Sequence, residues 1–394
     1  MSAGDVVIVS AVRTPIGAFC GSLSAVKASD LGSVVIKESL TRACIEPMDV
    51  SEVILGQVLT AGQGQNPARQ AAVKAGIPTS IPAHIVNMLC GSGLKAIING
   101  YVSIKAGESQ IVVAGGQESM SQAPHVSHLR NGVKMGDCNF VDSLIFDGLT
   151  DAFHGIHMGI TAENISKDFS INRGEQDEYS LKSYQKAEAA ITSGYFTKET
   201  ISVTTPTRKE PIIVDKDEFS KFGMTLESLA KMRPAFQKVD GTVTAGNSST
   251  INDGAAAVVL MSAQTAAERK LSSLAKIVAV AQAGVDPRIM GTGPIPAVEL
   301  VLKKAKWTKD EVDLYELNEA FAAQSIACVK TLGLNPAKVN INGGAVALGH
   351  PIGASGARVL VTLLHSLERT GGKKGVAALC IGGGMGIAIA VQRQ

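Results

Sequence analysis

Charge of one sign is what this chain of 394 residues most conspicuously lacks. Lys and Arg total 37 against 35 Asp and Glu, a formal balance of +2. No basic stripe stands out, which argues against nucleic acid as the main partner. Long apolar runs are missing as well. None reaches the roughly 18 residues that cross a bilayer, so no membrane span is expected. Paired cysteine motifs are absent: six cysteines lie far apart with no CxxC, and they read as reduced thiols. The apolar run Val6–Val9 begins so early that it leaves no room for a signal or transit peptide. The end, Val391–Gln394, is not a peroxisomal address. The cytoplasm is the expected compartment.

What the chain does have is glycine, 41 residues of it, clustered at a few turns, and an apolar content of 45%. That composition fits a globular protein with large buried layers and many tight strand–helix junctions. The length suggests two to three domains. Residues 1–120 alternate strand and helix. Val6–Val9, Val50–Leu59, Ala83–Met88 and Ile111–Gly116 read as strands. Asp30 is placed to cap a helix carrying Leu31, Val34, Val35 and Leu40, and Gly91–Lys105 has apolar residues near helical spacing. From 121 to 247 the rhythm fails and polar residues multiply around one polar helix, Gly174–Ser193. This stretch reads as a functional insertion. The rhythm returns at 248–270, which completes the first half, and a second α/β half covers 271–394. Each half has a Gly/Ser turn opening an apolar helix (Gly91–Gly93; Gly353–Gly356) and, later, a strand ending in glycines. The halves read as distant copies, with largely parallel sheet covered on both faces.

Four positions draw attention as chemistry. Cys90 stands where a strand meets a helix, so freed N–H groups and the helix dipole favour its thiolate. Most cysteines simply pack, however, and the residue alone leaves both roles open. His350 sits between Gly349 and Pro351 on a tightly constrained loop. Cys380 ends a strand beside Gly382, Gly383, Gly384 and Gly386. So much glycine serves close backbone approach better than strand stability, and N–H groups freed there can hold an oxyanion. Asn318, at a strand end before Glu319, Ala320 and Phe321, either caps a helix or aims its amide at a water or carbonyl oxygen. His125/His128 and His154/His157 have metal-like spacing, but no matching ligand cluster completes a site, and no metal is expected.

Four segments taken together are more specific than any one. Those around Cys90, Asn318–Phe321, Gly349–Pro351 and Cys380–Gly382 occur in the order in which the thiolase family carries them, and the chain resembles that family over its whole length. His157-Met158-Gly159 and Gly291–Pro296 resemble its short-chain, biosynthetic branch. The resemblance implies a thiolase-like α/β fold: two similar halves packed as layered αβαβα, with an inserted loop domain at 121–247 that binds coenzyme A. It also implies roles. Cys90 is the nucleophile that carries the acetyl group, His350 its base and an oxyanion donor, and Cys380 the base at the α-carbon. Asn318 orients a water, and the N–H groups of Cys90 and Gly382 form a second oxyanion site. Leu149, His157, Met158, Lys221, Ala245, Ser249, Ala320 and Phe321 match substrate positions. Two local departures stand out. Thr250 replaces a glycine, and Lys221 stands where close relatives often have Arg. The basic set Arg208, Lys209, Lys221, Lys231 and Arg233 is either a solvated face or a phosphate contact.

The implied reaction is condensation of two acetyl-CoA to acetoacetyl-CoA and coenzyme A. The thioesters are substrates, and no cofactor is expected. His125–Asp137 matches a segment that joins dimers into tetramers, so a homotetramer is expected. The rivals are a longer-chain degradative thiolase, a ketosynthase-type condensing enzyme, which lacks the second thiol, and a non-catalytic acyl-CoA-binding paralogue.

Overall fold

The fold is described by a computed structural model that covers residues 4–218 and 221–394. The first half runs β1 (Val6–Arg13), β2 (Gly17–Ala18), α1 (Ala28–Ala43), β3 (Glu52–Gly56), α2 (Pro67–Lys74), β4 (Ala83–Val86), α3 (Ser92–Ala106) and β5 (Ile111–Ser119). An excursion follows, with β6 (His125–Val126), β7 (Val141–Asp142), α4 (Met158–Asp168), α5 (Arg173–Thr192), β8 (Val203–Thr205), β9 (Ile212–Val214) and α6 (Leu226–Ala230). The chain returns through β10 (Asn252–Ser262) and α7 (Ala263–Glu268). The second half is β11 (Ala275–Gly284), α8 (Pro294–Ala305), β12 (Leu314–Leu317), α9 (Ala322–Leu332), α10 (Ala345–Leu348), α11 (Ile352–Thr370), β13 (Lys374–Ile381) and β14 (Met385–Gln392).

The main strands join in the order β12-β13-β14-β11-β1-β10-β5-β3-β4. Parallel pairing is confined to β12/β13, β3/β4 and β3/β5, and the other main pairs are antiparallel. The expectation of largely parallel sheet is corrected on this point. The centre of the sheet, β14-β11-β1-β10-β5, is antiparallel throughout, and β13 returns directly into β14 as a hairpin, a connection that only antiparallel strands allow. The two halves meet edge to edge over a short stretch, Val7 opposite Lys276 and Ile8 opposite Ala275.

Five layers result. Helices α1 and α2 cover the outer face of the first half, burying Leu31, Val35, Ile36, Ala68 and Ala71 against Val53, Val113 and Val259. On the far side α8 and α9 bury Val298, Val301 and Cys328 against Val376 and Ala388. Between the halves lie α3 and α11, whose Leu94, Ile97, Leu360 and Leu363 share one core with strands of both. This middle layer explains why α11 is buried nearly all round from Ile352 to Leu367: that stretch has no solvent side.

Close approach of the two middle helices depends on glycine. A Cβ on Gly93 would lie 2.8 Å from the Ala357 nitrogen, and one on Gly356 would lie 2.3 Å from the Leu94 nitrogen. The two Gly/Ser turns noted in the sequence thus pack against each other. Smaller details differ from expectation. Helix α1 starts ahead of Asp30, with Lys27 at its N-cap, so Asp30 sits in the first turn and pairs with Lys74. The polar helix α5 opens on a reciprocal cap between Asn172 and Glu175, an arrangement worth about 1 kcal/mol.

Candidate active site

The starts of α3 and α11 and the ends of β12 and β13 converge. Strand β4 turns sharply into α3 through Leu89, held at φ +47, a region that a leucine rarely enters. Asn87 Oδ1 accepts the Leu89 N–H at 3.0 Å, and Ser92 Oγ bridges the turn by accepting from Met88 N and donating to Leu89 O. These bonds keep the strained residue in place. The next residue, Cys90, is left just ahead of the helix.

Cys90 is half-buried, packed beside Val58, Leu59, Met120 and Ile352. Its own N–H and that of Gly382 are directed at the sulfur and favour the thiolate. Desolvation is the larger effect and, helped by the Glu118 carboxylate, pushes the thiol up to about 11. The sequence-based expectation of a lowered thiol is corrected: burial outweighs the helix terminus. Cys90 therefore rests as S–H and needs a base at the moment of reaction.

His350 is 6% exposed and ends the short linker from α10 into α11. Its Nδ1 lies 2.6 Å from Ser355 Oγ, whose own proton is donated to Pro351 O at 2.9 Å. The hydroxyl oxygen must then accept from the ring, which assigns the proton to Nδ1 and leaves Nε2 as the lone pair. Burial, with the Arg358 charge adding to it, holds the imidazole down at about 3, so it is neutral at pH 7. Nε2 lies 3.4 Å from Asn318 Nδ2.

Asn318 is fully buried, with its N–H donated to Ala378 O at 2.9 Å. It is not a helix cap, because α9 begins later, at Ala322, behind Phe321. Its Oδ1 finds no hydrogen-bond partner among the described residues. Cys380 closes β13 and is fully buried. Desolvation holds its thiol well above the ordinary range, and neighbouring Cys90 adds to the effect. The hairpin to β14 turns through Gly383 (φ +77) and Gly384 (φ +83), a conformation open to glycine.

An open cleft of about 480 Å³ leads to His350. Leu149, His157, Met158, Lys221, Ala245, Ser249 and Phe321 line it, and Ala320 sits just behind, accepting the Ser249 N–H at 2.9 Å. His157 stacks on Phe236 at 4.8 Å, and Phe236 meets Phe321 edge-on at 6.2 Å. Lys221 Nζ donates to Tyr184 Oη at 2.9 Å and reaches Ala245 O at 3.5 Å. Of the basic set only Lys221 borders the cleft, and Lys231 is spent on Glu227. Thr250 stays out of the left-handed region, so its replacement of glycine is accommodated. Among the described residues no three His, Cys, Asp or Glu side chains gather to share a metal.

Sequence reasoning missed Ser355, Glu118 and Phe236. Glu118 carried a signal, an acid at the end of an apolar strand. It accepts from Val58 N, Leu59 N and Gly353 N, and burial still pushes its carboxyl up to about 7. Ser355 falls inside a segment already singled out. Nothing local marks Phe236.

Comparison with known proteins matches two family models, "Thiolase, N-terminal domain" over residues 6–264 and "Thiolase, C-terminal domain" over 271–393. The acetyl-CoA acetyltransferase of Cupriavidus necator is 56% identical over 392 residues, spanning 99% of this chain and 100% of that protein. The cytosolic acetyl-CoA acetyltransferase of Mus musculus is 57% identical over 396 residues and the full length of both. The crystal structure of the Bacillus anthracis acetyl-CoA acetyltransferase superposes with a TM-score of 0.97 at 45% identity, over 98% of each chain.

Proposed function

The chain belongs to the thiolase family of acyltransferases, and from that premise we propose that it is an acetyl-CoA C-acetyltransferase, condensing two acetyl-CoA to acetoacetyl-CoA and free coenzyme A. The names of its full-length relatives support the activity. The observation that carries the chemistry is a pair of thiols, Cys90 and Cys380, close enough for one charge to oppose the other, with the Gly382 N–H aimed at the first.

His350 Nε2 takes the proton of Cys90 as its sulfur attacks the thioester carbonyl. Coenzyme A leaves with a proton, and an acetyl-cysteine remains. The N–H groups of Cys90 and Gly382 then face the new thioester oxygen. A second acetyl-CoA enters, His350 Nε2 takes the Cys380 proton, and the thiolate so formed takes the α-proton. Charge develops on the enolate oxygen, which His350 and a water held by Asn318 stabilise. The enolate carbon attacks the acetyl-cysteine carbonyl, the carbon–sulfur bond breaks, and His350 returns its Nε2 proton to the Cys90 thiolate, which closes the cycle. Resting thiols and a neutral imidazole suit this sequence, because no ion pair has to be held in a buried site between turnovers.

The cleft is the proposed coenzyme A channel, with Lys221 at its phosphate end and the His157–Phe236–Phe321 wall along the acyl arm. A homotetramer is proposed as well. The arm that bears β6 and β7 exposes Leu129, Val133, Met135 and Phe140, apolar side chains suited to a neighbouring subunit.

Mass spectrometry after brief exposure to acetyl-CoA tests the assignment. An acetyl group on Cys90, lost in Cys90→Ser, is expected. A chain-length profile of thiolysis strongest on long acyl chains overturns the short-chain assignment.

A further inference from the structure

Two arginines lie at the centre of this molecule, and they are used differently. Arg13, on β1, is saturated: Nε meets Glu199 at 2.5 Å, and Nη1 and Nη2 meet Asp217 at 2.6 and 2.8 Å. A guanidinium bound on both edges is accounted for by the fold. Arg358, on α11, is 2% exposed, yet its Nε and Nη1 find no hydrogen-bond partner among the described residues. Its nearest anion is Glu316, itself 2% exposed, at 4.0 Å. Burying a charge so loosely paired is costly and contributes little to stability.

Its position suggests another use. Glu316 is on β12, two residues ahead of Asn318. Arg358 is on α11, the helix that begins just after His350. One buried arginine–glutamate contact thus spans the two elements whose ends place the Asn318 amide 3.4 Å from His350 Nε2. We propose that Arg358, held by Glu316, is a positioning residue for the reaction: it ties α11 to β12 and carries a fixed positive charge on the helix that His350 precedes. The proposal rests on the functional assignment above and adds a residue to it.

The charge acts on His350 in one direction. A cation near the imidazole disfavours a second one, adding to desolvation, so the ring stays neutral and ready to accept the Cys90 proton. The groups facing Arg358 from neighbouring elements are Glu316 on β12, Arg13 on β1, Glu199 after α5 and Glu319 after β12. Glu316 is itself pushed up by burial, to about 8, so at pH 7 it is mostly protonated and offsets the arginine only weakly. The net field at His350 is therefore positive.

The test uses the full chain and reads kcat, KM and their pH dependence. Removing both partners, as Arg358→Met with Glu316→Leu, replaces the pair with apolar side chains and avoids stranding a buried charge. That variant is expected to keep the parent KM for acetyl-CoA, because neither residue borders the cleft. Its kcat/KM at pH 4, relative to pH 8, should fall about threefold further than the parent's, as the imidazole becomes easier to protonate. A folded double variant with the parent's profile overturns the proposal.

Glu316→Gln provides an arm that does not depend on the double variant folding. It keeps the cation and loosens only the tie. The pH profile should stay near the parent's while kcat drops about tenfold with KM unchanged, and an unchanged kcat overturns the positioning role. Arg358→Lys, which keeps the charge, should restore the profile. Acetylation of Cys90 in the parent is read separately. Its absence defeats the functional assignment, whereas acetylation with an unmoved profile defeats only the role of Arg358.

Discussion

Ser355→Ala removes one hydroxyl that does not line the cleft, and it should slow acetylation of Cys90 without weakening substrate binding. The hydroxyl is fully buried and accepts the His350 Nδ1 proton at 2.6 Å. Without it, a buried N–H is left unpaired, at a cost of about 1–3 kcal/mol. The imidazole has an escape. The other tautomer puts the proton on Nε2, and Asn318 Oδ1, which has no partner among the described residues, can accept it once the amide turns. That tautomer cannot take the Cys90 proton. At about 2 kcal/mol in its favour, the reactive form falls roughly 30-fold, since each 1.4 kcal/mol is a factor of ten. Rapid-quench mass spectrometry of the acetyl-enzyme measures the step directly, and KM for acetyl-CoA should not change. Acetylation at the parent rate in a folded Ser355→Ala protein would falsify the tautomer assignment.

Other outcomes follow from the same geometry. Cys380→Ser should still acetylate Cys90 but exchange the acetyl α-proton about 10²–10⁴-fold more slowly, as judged by deuterium incorporation. Gly356→Ala should lower stability by at least about 1–3 kcal/mol in thermal unfolding, because its methyl would meet backbone at 2.3 Å where α3 and α11 cross. Glu118 is raised in the fold, to about 7, so its contribution is present below its ordinary carboxylate value and is lost as pH rises through about 7. Glu118→Gln should therefore flatten the loss of stability between pH 4.5 and 7, measured by denaturant titration.

Local chemistry was the legible part of the sequence. Glycine beside Cys90, His350 and Cys380 announced close backbone approach, and the alternation of strand and helix announced layered α/β structure. What could not be read was long-range. That the turn at Gly91–Gly93 packs on the turn at Gly353–Gly356 depends on how two halves dock, which no local periodicity records. The Cys90 thiol moved opposite to expectation for the same reason: a helix terminus is visible in sequence, whereas the depth that outweighs it is not. Asn318 looked like a cap because strand-to-helix junctions commonly begin with Asn, but three further residues separate it from α9. Phe236 comes from a loop in the excursion and reaches His157 only in three dimensions.

The middle layer also sets the order in which activity can arise during folding. Cys90 lies at the head of α3 and His350 beside the head of α11, far apart along the chain, and neither half contains both. The helices and the β13/β14 hairpin can form early through contacts near in sequence, but nucleophile and base meet only when α3 and α11 close against each other. Docking of this sort pays its loop-closure entropy late. Refolding should therefore show secondary structure first and reactivity last, with recovered turnover reporting the final joining of the halves.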